Sequence, residues 1–432
     1  MKDSINIGLL GLGTVGSGVI SVLTGNAHEI AQKTGVPVKV RKILVRDKNK
    51  VRNIAPDALI TTNADDILND EDIDIIVEVM GGEQPAKEYM LRALNAGKNV
   101  VTANKDVVAK YGRELFSAAE ANHVDFMFEA SVGGGIPIIR PLKQCLAANK
   151  ISEVMGIVNG TTNYMLTKMT NEKLDYQTVL TQAQAKGYAE ADPTADVGGL
   201  DAARKIAILA SIAFNARVSL EDVDVEGITN ISPVDIEYAR ELGYVIKLLA
   251  IARKSEECGI NARVHPAFIP LDHPLAAVSD VFNAIFVRGD AVGEAMFYGR
   301  GAGGLPTASA VAGDIVDVAR NLRHQVNGRI LCTCYEEKPF CPVGKTSSSY
   351  YVRLLVEDQP GVLAAIAGAF GVHNVSLNSV IQKRKVNHCA ELVLITNHVS
   401  DANIRKALTR IKDMSVLTTV QNVIRVEAQQ ID

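Results

Sequence analysis

No apolar run in the chain approaches the roughly 20 residues that cross a bilayer, which excludes a membrane-spanning helix. Charge bias is also lacking. Lys and Arg total 45 against 49 Asp and Glu, a net charge of −4, so there is no basic surplus for nucleic acid. Cysteine is scarce, with six residues in 432: Cys145, Cys258, Cys332, Cys334, Cys341 and Cys389. That number in a chain of this size implies no disulfide framework and points to a reducing cytoplasm. Cys332, Cys334 and Cys341 cluster, but C-x-C is an unusual zinc spacing and no histidine follows at the usual interval, so they read as free thiols. The opening segment MKDSINIGLLGLGTVG reads as a strand and turn, not as a signal peptide. What is present is a soluble globular balance, 47% hydrophobic and 22% charged, at a length that calls for two or three domains.

The first chemistry appears at once. Ile5–Leu10 has strand character and runs into Gly11-Leu12-Gly13-Thr14-Val15-Gly16, after which a helical pattern continues to about Leu23. This is G-x-G-x-x-G in its proper setting. Gly11 permits the tight turn, Gly13 lets backbone approach a pyrophosphate, and Gly16 lets helix and strand pack closely. The second strand, Val38–Val45, ends in Arg46-Asp47-Lys48. Arg46 and Lys48 favour the 2′-phosphate of NADP, whereas Asp47 suits the free ribose of NAD. Asp74–Val79 reads as a later buried strand, followed by a loop with Gly81 and a helix over Ala86–Ala96. Lys98–Thr102 is the next strand, and Lys105 lies just past its end, where open parallel sheets bind ligands. A further strand, Phe126–Ala130, leads into the glycine-rich run Ser131–Pro137, whose carbonyls can converge on a small cation.

A second concentration of chemistry is GYAEADPTADVGGLDAARKIAIL, Gly187–Leu209. Four carboxylates, Glu190, Asp192, Asp196 and Asp201, approach an apolar-faced helix bearing Asp201 and Lys205 four residues apart, on one face. In isolation this is an exposed acidic loop with an ordinary ion pair. Beside a dinucleotide site it becomes an acid–base candidate. Beyond residue 348 the pattern resets to a βαββαβ order, with D-x-P-G-V (Asp358–Val362) after its first strand. That order and motif resemble an ACT domain, a small amino-acid-binding module; a plain dimerisation domain is the alternative.

Six segments together resemble homoserine dehydrogenase: GLGTVG, TANKD (Thr102–Asp106), EASVGGGIPII (Glu129–Ile139), NGTTNYM (Asn159–Met165), GYAEADPTADVGGLDAARK (Gly187–Lys205) and GRGAGGLPTASAVAGD (Gly299–Asp314). The resemblance covers nearly the whole chain in the family's order. It implies NAD(P)-dependent interconversion of L-homoserine and L-aspartate 4-semialdehyde, in the biosynthesis of threonine, methionine and isoleucine. Lys205 is then the general acid/base, Asp201 its partner across a water or the substrate hydroxyl, and Lys105 a second lysine at the reacting end. Glu190 and Asp196 hold the substrate ammonium, with Gly160, Thr161 and Tyr188 as further substrate positions. Thr14, Val15, Gly81, Thr102, Gly187 and Gly301 join the glycine turn as cofactor positions. Glu129, Val132, Gly134 and Ile136 match positions whose backbone oxygens hold a monovalent cation, usually sodium. The ACT-like tail implies an amino-acid effector, threonine first.

The implied fold is α/β. A Rossmann-type nucleotide domain spans 1–150 plus a returning helix near 305–325, and an α+β substrate and dimerisation domain spans 151–304. A linker occupies 326–348 and the ACT-like regulatory domain 349–432. The expected protein is cytoplasmic, homo-oligomeric and monofunctional, since no kinase-sized segment precedes the first strand. Two other readings are another amino-acid dehydrogenase, against which the Glu190–Lys205 block argues, and a non-catalytic sensor of NADP and amino acid.

Overall fold

Buried strands in a parallel sheet read as near-continuous apolar runs, and the first half of the chain obeys this. In the computed structural model, which describes residues 3–50, 57–330, 332–386 and 389–427, six strands form one sheet. They are β1 (Ile5–Leu10), β2 (Val38–Leu44), β3 (Leu59–Thr61), β4 (Ile75–Glu78), β5 (Asn99–Thr102) and β6 (Phe126–Met127). Their order is β3-β2-β1-β4-β5-β6 and every pairing is parallel. This is the doubly wound Rossmann arrangement, with its topological switch point between β1 and β4. Ile7, Leu9, Ile43, Ile75, Val77 and Val101 form the sheet's share of the core. Helix Gly304–His324 returns to this core through Val311, Ile315 and Val318. Gly18 lets it lie close to helix Thr14–Gly25: a Cβ at Gly18 would stand 2.7 Å from the Gly304 carbonyl oxygen. The expected strand over Phe126–Ala130 stops at Met127 and becomes a 3₁₀ turn, Glu129–Ser131. The cause is the Glu129 carboxylate, described below.

The chain divides into two units. The first comprises residues 1–154, 204–221 and 282–337, and holds the Rossmann sheet and the hairpin Phe282–Gly289/Gly293–Arg300. The second comprises residues 155–203, 222–281 and 338–432. In it, strands Tyr244–Ser255, Gly259–Pro270, Leu417–Val426, Ser347–Glu357, Cys389–Thr396 and Leu377–Val386 follow one another in that spatial order. The last four of these strands, with helices Val362–Val372 and Asp401–Lys412, form the expected βαββαβ module. Residues 387–388 and 428–432 of that module, and Leu331 of the linker, lie outside the described residues.

Alternation along Ser347–Glu357 explains how the module is held. Tyr350, Val352, Leu354 and Val356 face the module's own core with Ile366, Phe370 and Ile404. Tyr351 and Arg353 therefore face the opposite way. Arg353 Nε donates to Asp235 at 2.8 Å, Nη1 to Glu391 at 3.0 Å and Nη2 to the Ser232 hydroxyl at 3.1 Å. Asp235 belongs to helix Pro233–Glu241, whose N-terminus is closed by a Ser232/Asp235 capping box. All these side chains except Ser232 are buried, so the module is joined to this helix by a desolvated network in which one guanidinium serves two carboxylates.

The cysteine reading needs one correction. Cys258 and Cys341 form a disulfide, closing a loop on the strand that begins at Gly259; the Ile260 amide also donates to the Pro339 carbonyl at 2.9 Å. Cys341 is therefore not a free thiol, whereas Cys145, Cys332, Cys334 and Cys389 are. No group of three or more His, Cys, Asp and Glu among the described residues could hold a metal ion. No helix among them is long and apolar enough to cross a membrane.

Candidate active site

The glycine turn has the geometry a pyrophosphate requires. Gly11 sits at φ +107°, and a Cβ on Gly16 would stand 2.2 Å from the Gly11 carbonyl oxygen. By contrast, a Cβ on Gly13 would meet nothing within 4 Å. Helix Thr14–Gly25 starts there with no side-chain cap and no acid in its first turn. Its leading amides and dipole thus offer an anion site at the carboxyl end of β1, so the residues present fit a dinucleotide. Leu12 and Val15 pack half-buried against the core beneath the turn, while Arg46, Asp47 and Lys48 are exposed beyond β2.

At the ends of β4 and β5 the backbone is organised by Glu78. Its carboxylate accepts from the Met80 amide at 2.8 Å, the Gly81 amide at 3.2 Å and the Thr102 hydroxyl at 2.6 Å. Burial pushes its pKa above the ordinary value, against those hydrogen bonds. Thr102 Oγ accepts from the Asn104 amide. Asn104 caps helix Lys105–Ala121 through the Val107 amide and donates to the Gly82 carbonyl at 2.7 Å. Lys105 is therefore the first residue of a firmly anchored helix, half-buried beside the loop that bears Gly81.

The Glu129 carboxylate accepts three consecutive amides, Ile138 at 2.6 Å, Ile139 at 2.8 Å and Arg140 at 2.7 Å. This pull bends the chain after Met127. The Glu129 amide in turn donates to Asp314 at 2.8 Å, and Arg140 pairs with the same carboxylate at 2.6 Å. Burial and the Glu129 charge raise the Asp314 pKa to about 7, opposed by Arg140. Gly134 lies so close to Gly301 that a Cβ would stand 2.4 Å from the Gly301 carbonyl oxygen. Among the described residues no backbone amide donates to the Val132 or Gly134 carbonyls. Unpaired carbonyl oxygens on a tight loop suit a hard monovalent cation.

In the second unit, Asn159 caps helix Gly160–Glu172 through the Thr162 amide. Its side-chain amide donates to Asp196 at 2.7 Å and to Asp201 at 2.9 Å. One buried asparagine thus aligns two carboxylates drawn from separate turns. Thr161 Oγ donates to the Tyr188 carbonyl at 2.6 Å, and the Tyr164 and Tyr188 rings meet edge to face at 5.0 Å. Glu190 and Gly187 are exposed, Asp196 is half-buried and Asp201 is buried. Asp201 lies in the first turn of helix Leu200–Ala213, which crosses into the first unit at Arg204, so that half-buried Lys205 belongs to the first unit.

Three stretches of the chain match family models: homoserine dehydrogenase NAD binding domain over 11–129, homoserine dehydrogenase over 137–316, and ACT domain over 350–415. The homoserine dehydrogenase of Bacillus subtilis is 44% identical over 427 residues, covering 98% of each chain. The chain belongs to the homoserine dehydrogenase family. A crystal structure of a homoserine dehydrogenase from Thiobacillus denitrificans superposes with a TM-score of 0.94 at 42% identity, covering 98% of each chain. A hyperthermophilic archaeal homoserine dehydrogenase in complex with NADPH aligns at TM-score 0.63 and 28% identity, covering 73% of this chain and 97% of that one. The enzyme is an NAD(P)-dependent oxidoreductase with an ACT domain.

Sequence reasoning passed over Glu78, Asn104 and Asn159 as individual actors. Each carried a signal. Glu78 is the one charge at the end of an otherwise apolar strand, and both asparagines stand at helix N-caps, where short polar side chains belong. Their distant partners, Gly82 for Asn104 and the two aspartates for Asn159, had no local trace.

Proposed function

We propose that Lys205 is the general acid/base of the reaction, with Asp201 its partner through a water or the substrate hydroxyl and Lys105 a second lysine at the reacting end. Homoserine is a small zwitterion with a primary alcohol. Carboxylates suit its ammonium, and we assign Glu190 and Asp196 to it, with Gly160, Thr161 and Tyr188 as neighbours. The bound nicotinamide supplies the hydride chemistry. Lys205 takes the hydroxyl proton in oxidation and returns it to the developing alkoxide in reduction. The single observation that carries this reading is the Asn159 amide held between Asp196 and Asp201, with Lys205 one turn beyond Asp201. An asparagine that pairs two carboxylates fixes their spacing, and carboxylate oxygens can accept from an ammonium and a water. Asp196→Asn should raise the KM for homoserine about tenfold with little change in the KM for cofactor. An unchanged homoserine KM would remove Asp196 from the substrate site.

The same reading gives NADP as the preferred cofactor, with Arg46 and Lys48 on its 2′-phosphate, and Gly187 and Gly301 as further cofactor positions. Arg46→Ala should raise KM for NADP by roughly tenfold and leave KM for NAD nearly unchanged. Equal changes for both cofactors would refute the phosphate role. Backbone oxygens of Glu129, Val132, Gly134 and Ile136 would hold a sodium ion as a tie between loops, since one charge and a carbonyl cage suit structure better than Lewis acidity. Threonine is the proposed effector, at the turn Asp358–Val362 and the loop His373–Ser376. Helix Val362–Val372 begins at Gly361 without a side-chain cap, which suits an amino-acid carboxylate. We place the enzyme in the cytoplasm, as a homo-oligomer formed through the segment 151–304 and the ACT domain. Its place there is the pathway to threonine, methionine and isoleucine.

A further inference from the structure

The Rossmann unit contains a second reactive cluster that the oxidoreductase chemistry does not use. Cys332 and Cys334 stand two residues apart in the segment after helix Gly304–His324. Arg217 Nη2 donates to Cys332 Sγ at 3.7 Å, and Cys334 Sγ donates to the Ser211 carbonyl at 3.6 Å. Both sulfurs, with Arg217 and Lys143, line a narrow pocket with room for about one water-sized molecule. Lys143 is held there with its ammonium 4.7 Å from the Phe116 ring centre and 5.3 Å from that of Phe128. The Thr333 hydroxyl between the two cysteines is buried without a hydrogen-bond partner.

We propose that Cys332 and Cys334 are an oxidisable dithiol, in which Cys332 is the thiol attacked by a hydroperoxide and Cys334 resolves it. Three observations converge on this. A guanidinium touches one sulfur only, which distinguishes the nucleophile from its neighbour. A narrow pocket borders both cysteines and gives a small molecule access to them. The second thiol lies within the same short segment. The electrostatics agree: the neighbouring Cys334 thiol, then Arg217 and Lys143, hold Cys332 below the ordinary thiol value, while the neighbouring Cys332 and burial push Cys334 up.

The steps balance. The Cys332 thiolate attacks one peroxide oxygen; an S–O bond forms, the O–O bond breaks, and hydroxide leaves. The Cys334 sulfur then attacks the sulfenic sulfur; an S–S bond forms and the S–O bond breaks. The Cys334 proton and the expelled oxygen leave as water. Two thiols are oxidised by two electrons and one peroxide is reduced. The pocket walls include Val108 and Ile208, each three residues beyond Lys105 and Lys205 on their respective helices, so the modified site lies one turn from both lysines.

The test treats the full-length protein with a stoichiometric amount of hydrogen peroxide, alkylates the remaining thiols and reads the peptides by mass. The peptide bearing both cysteines should lose two hydrogen masses. In Cys334→Ser, dimedone should label Cys332, and in Cys332→Ser neither the disulfide nor the label should form at this segment. Oxidation of exposed Cys145 while Cys332 and Cys334 remain fully alkylatable would overturn the proposal. A measurement on the unmutated protein stands beside these. At pH 6, iodoacetamide should label Cys332 roughly tenfold faster than Cys145, because a thiolate persists there at the cost of some nucleophilicity. Slower labelling of Cys332 would overturn the proposal even if both variants failed to fold.

Discussion

Lys205→Ala is expected to lower kcat for homoserine oxidation by about 10²–10⁴-fold while the folded protein still binds cofactor. Helix Leu200–Ala213 is fixed by Ala203, Ile206, Ala207 and Leu209, all fully buried. Alanine has the higher helix propensity, so truncating half-buried Lys205 leaves the helix and its Asp201 end in place. What disappears is the amine that exchanges a proton with the substrate hydroxyl. That exchange accompanies hydride departure, so its loss falls on kcat more than on KM. Circular dichroism and cofactor binding of the variant should match the parent enzyme. A variant that retains kcat within a few-fold would exclude Lys205 as the acid/base and shift the role to Lys105.

Arg353→Ala should destabilise the protein by about 3–5 kcal/mol. Asp235 and Glu391 are 0% and 4% exposed. Both depend on this guanidinium, and Ser232 receives its remaining donor. Removing the cation leaves two carboxylates desolvated and facing each other across the vacated space. Tyr351 and Asn422, which also donate to Asp235, cannot neutralise either charge. Thermal denaturation followed by circular dichroism should show a clearly lower Tm. Below that transition kcat should stay near the parent value, because no group in this network touches substrate or cofactor in the proposed mechanism. A parent-like Tm would mean that the buried charges find other partners and that the network is not what holds the ACT module to helix Pro233–Glu241.

These two variants mark what could and could not be read from residues alone. The helix that carries Asp201 and Lys205 was legible because its apolar face is periodic, a local signal. The strand–turn–helix of Ile5–Leu23 was legible for the same reason, since each glycine answers a nearby steric need. The D-x-P-G-V turn and the alternation of Ser347–Glu357 likewise placed the ACT fold. The Arg353 network was not legible, because its members come from residues 232–235, 353, 391 and 422. Long hairpin Tyr244–Ser255/Gly259–Pro270 was missed for a related reason. Lys247, Arg253, Arg263 and His265 interrupt its apolar pattern, and only the fold supplies their partners. Lys247 donates to the Val278 carbonyl at 2.5 Å, and Glu427 pairs with Arg253 and Arg263. The Cys258–Cys341 disulfide spans 83 residues, beyond any local signal. Glu129 shows the same principle in reverse. A strand was expected through Glu129 from its neighbours, but the strand ends at Met127 and the Glu129 carboxylate accepts three amides about ten residues downstream.

The proposal that matters most is that Lys205 is the acid/base of homoserine oxidation. The most direct measurement follows nicotinamide absorbance with purified enzyme and L-homoserine plus NADP or NAD, alongside the Lys205→Ala variant. The expected result is homoserine-dependent reduction of the cofactor, faster with NADP at low concentration, and near-complete loss in the variant. No turnover with either cofactor by folded enzyme that binds NADP, or full turnover in the variant, would contradict it.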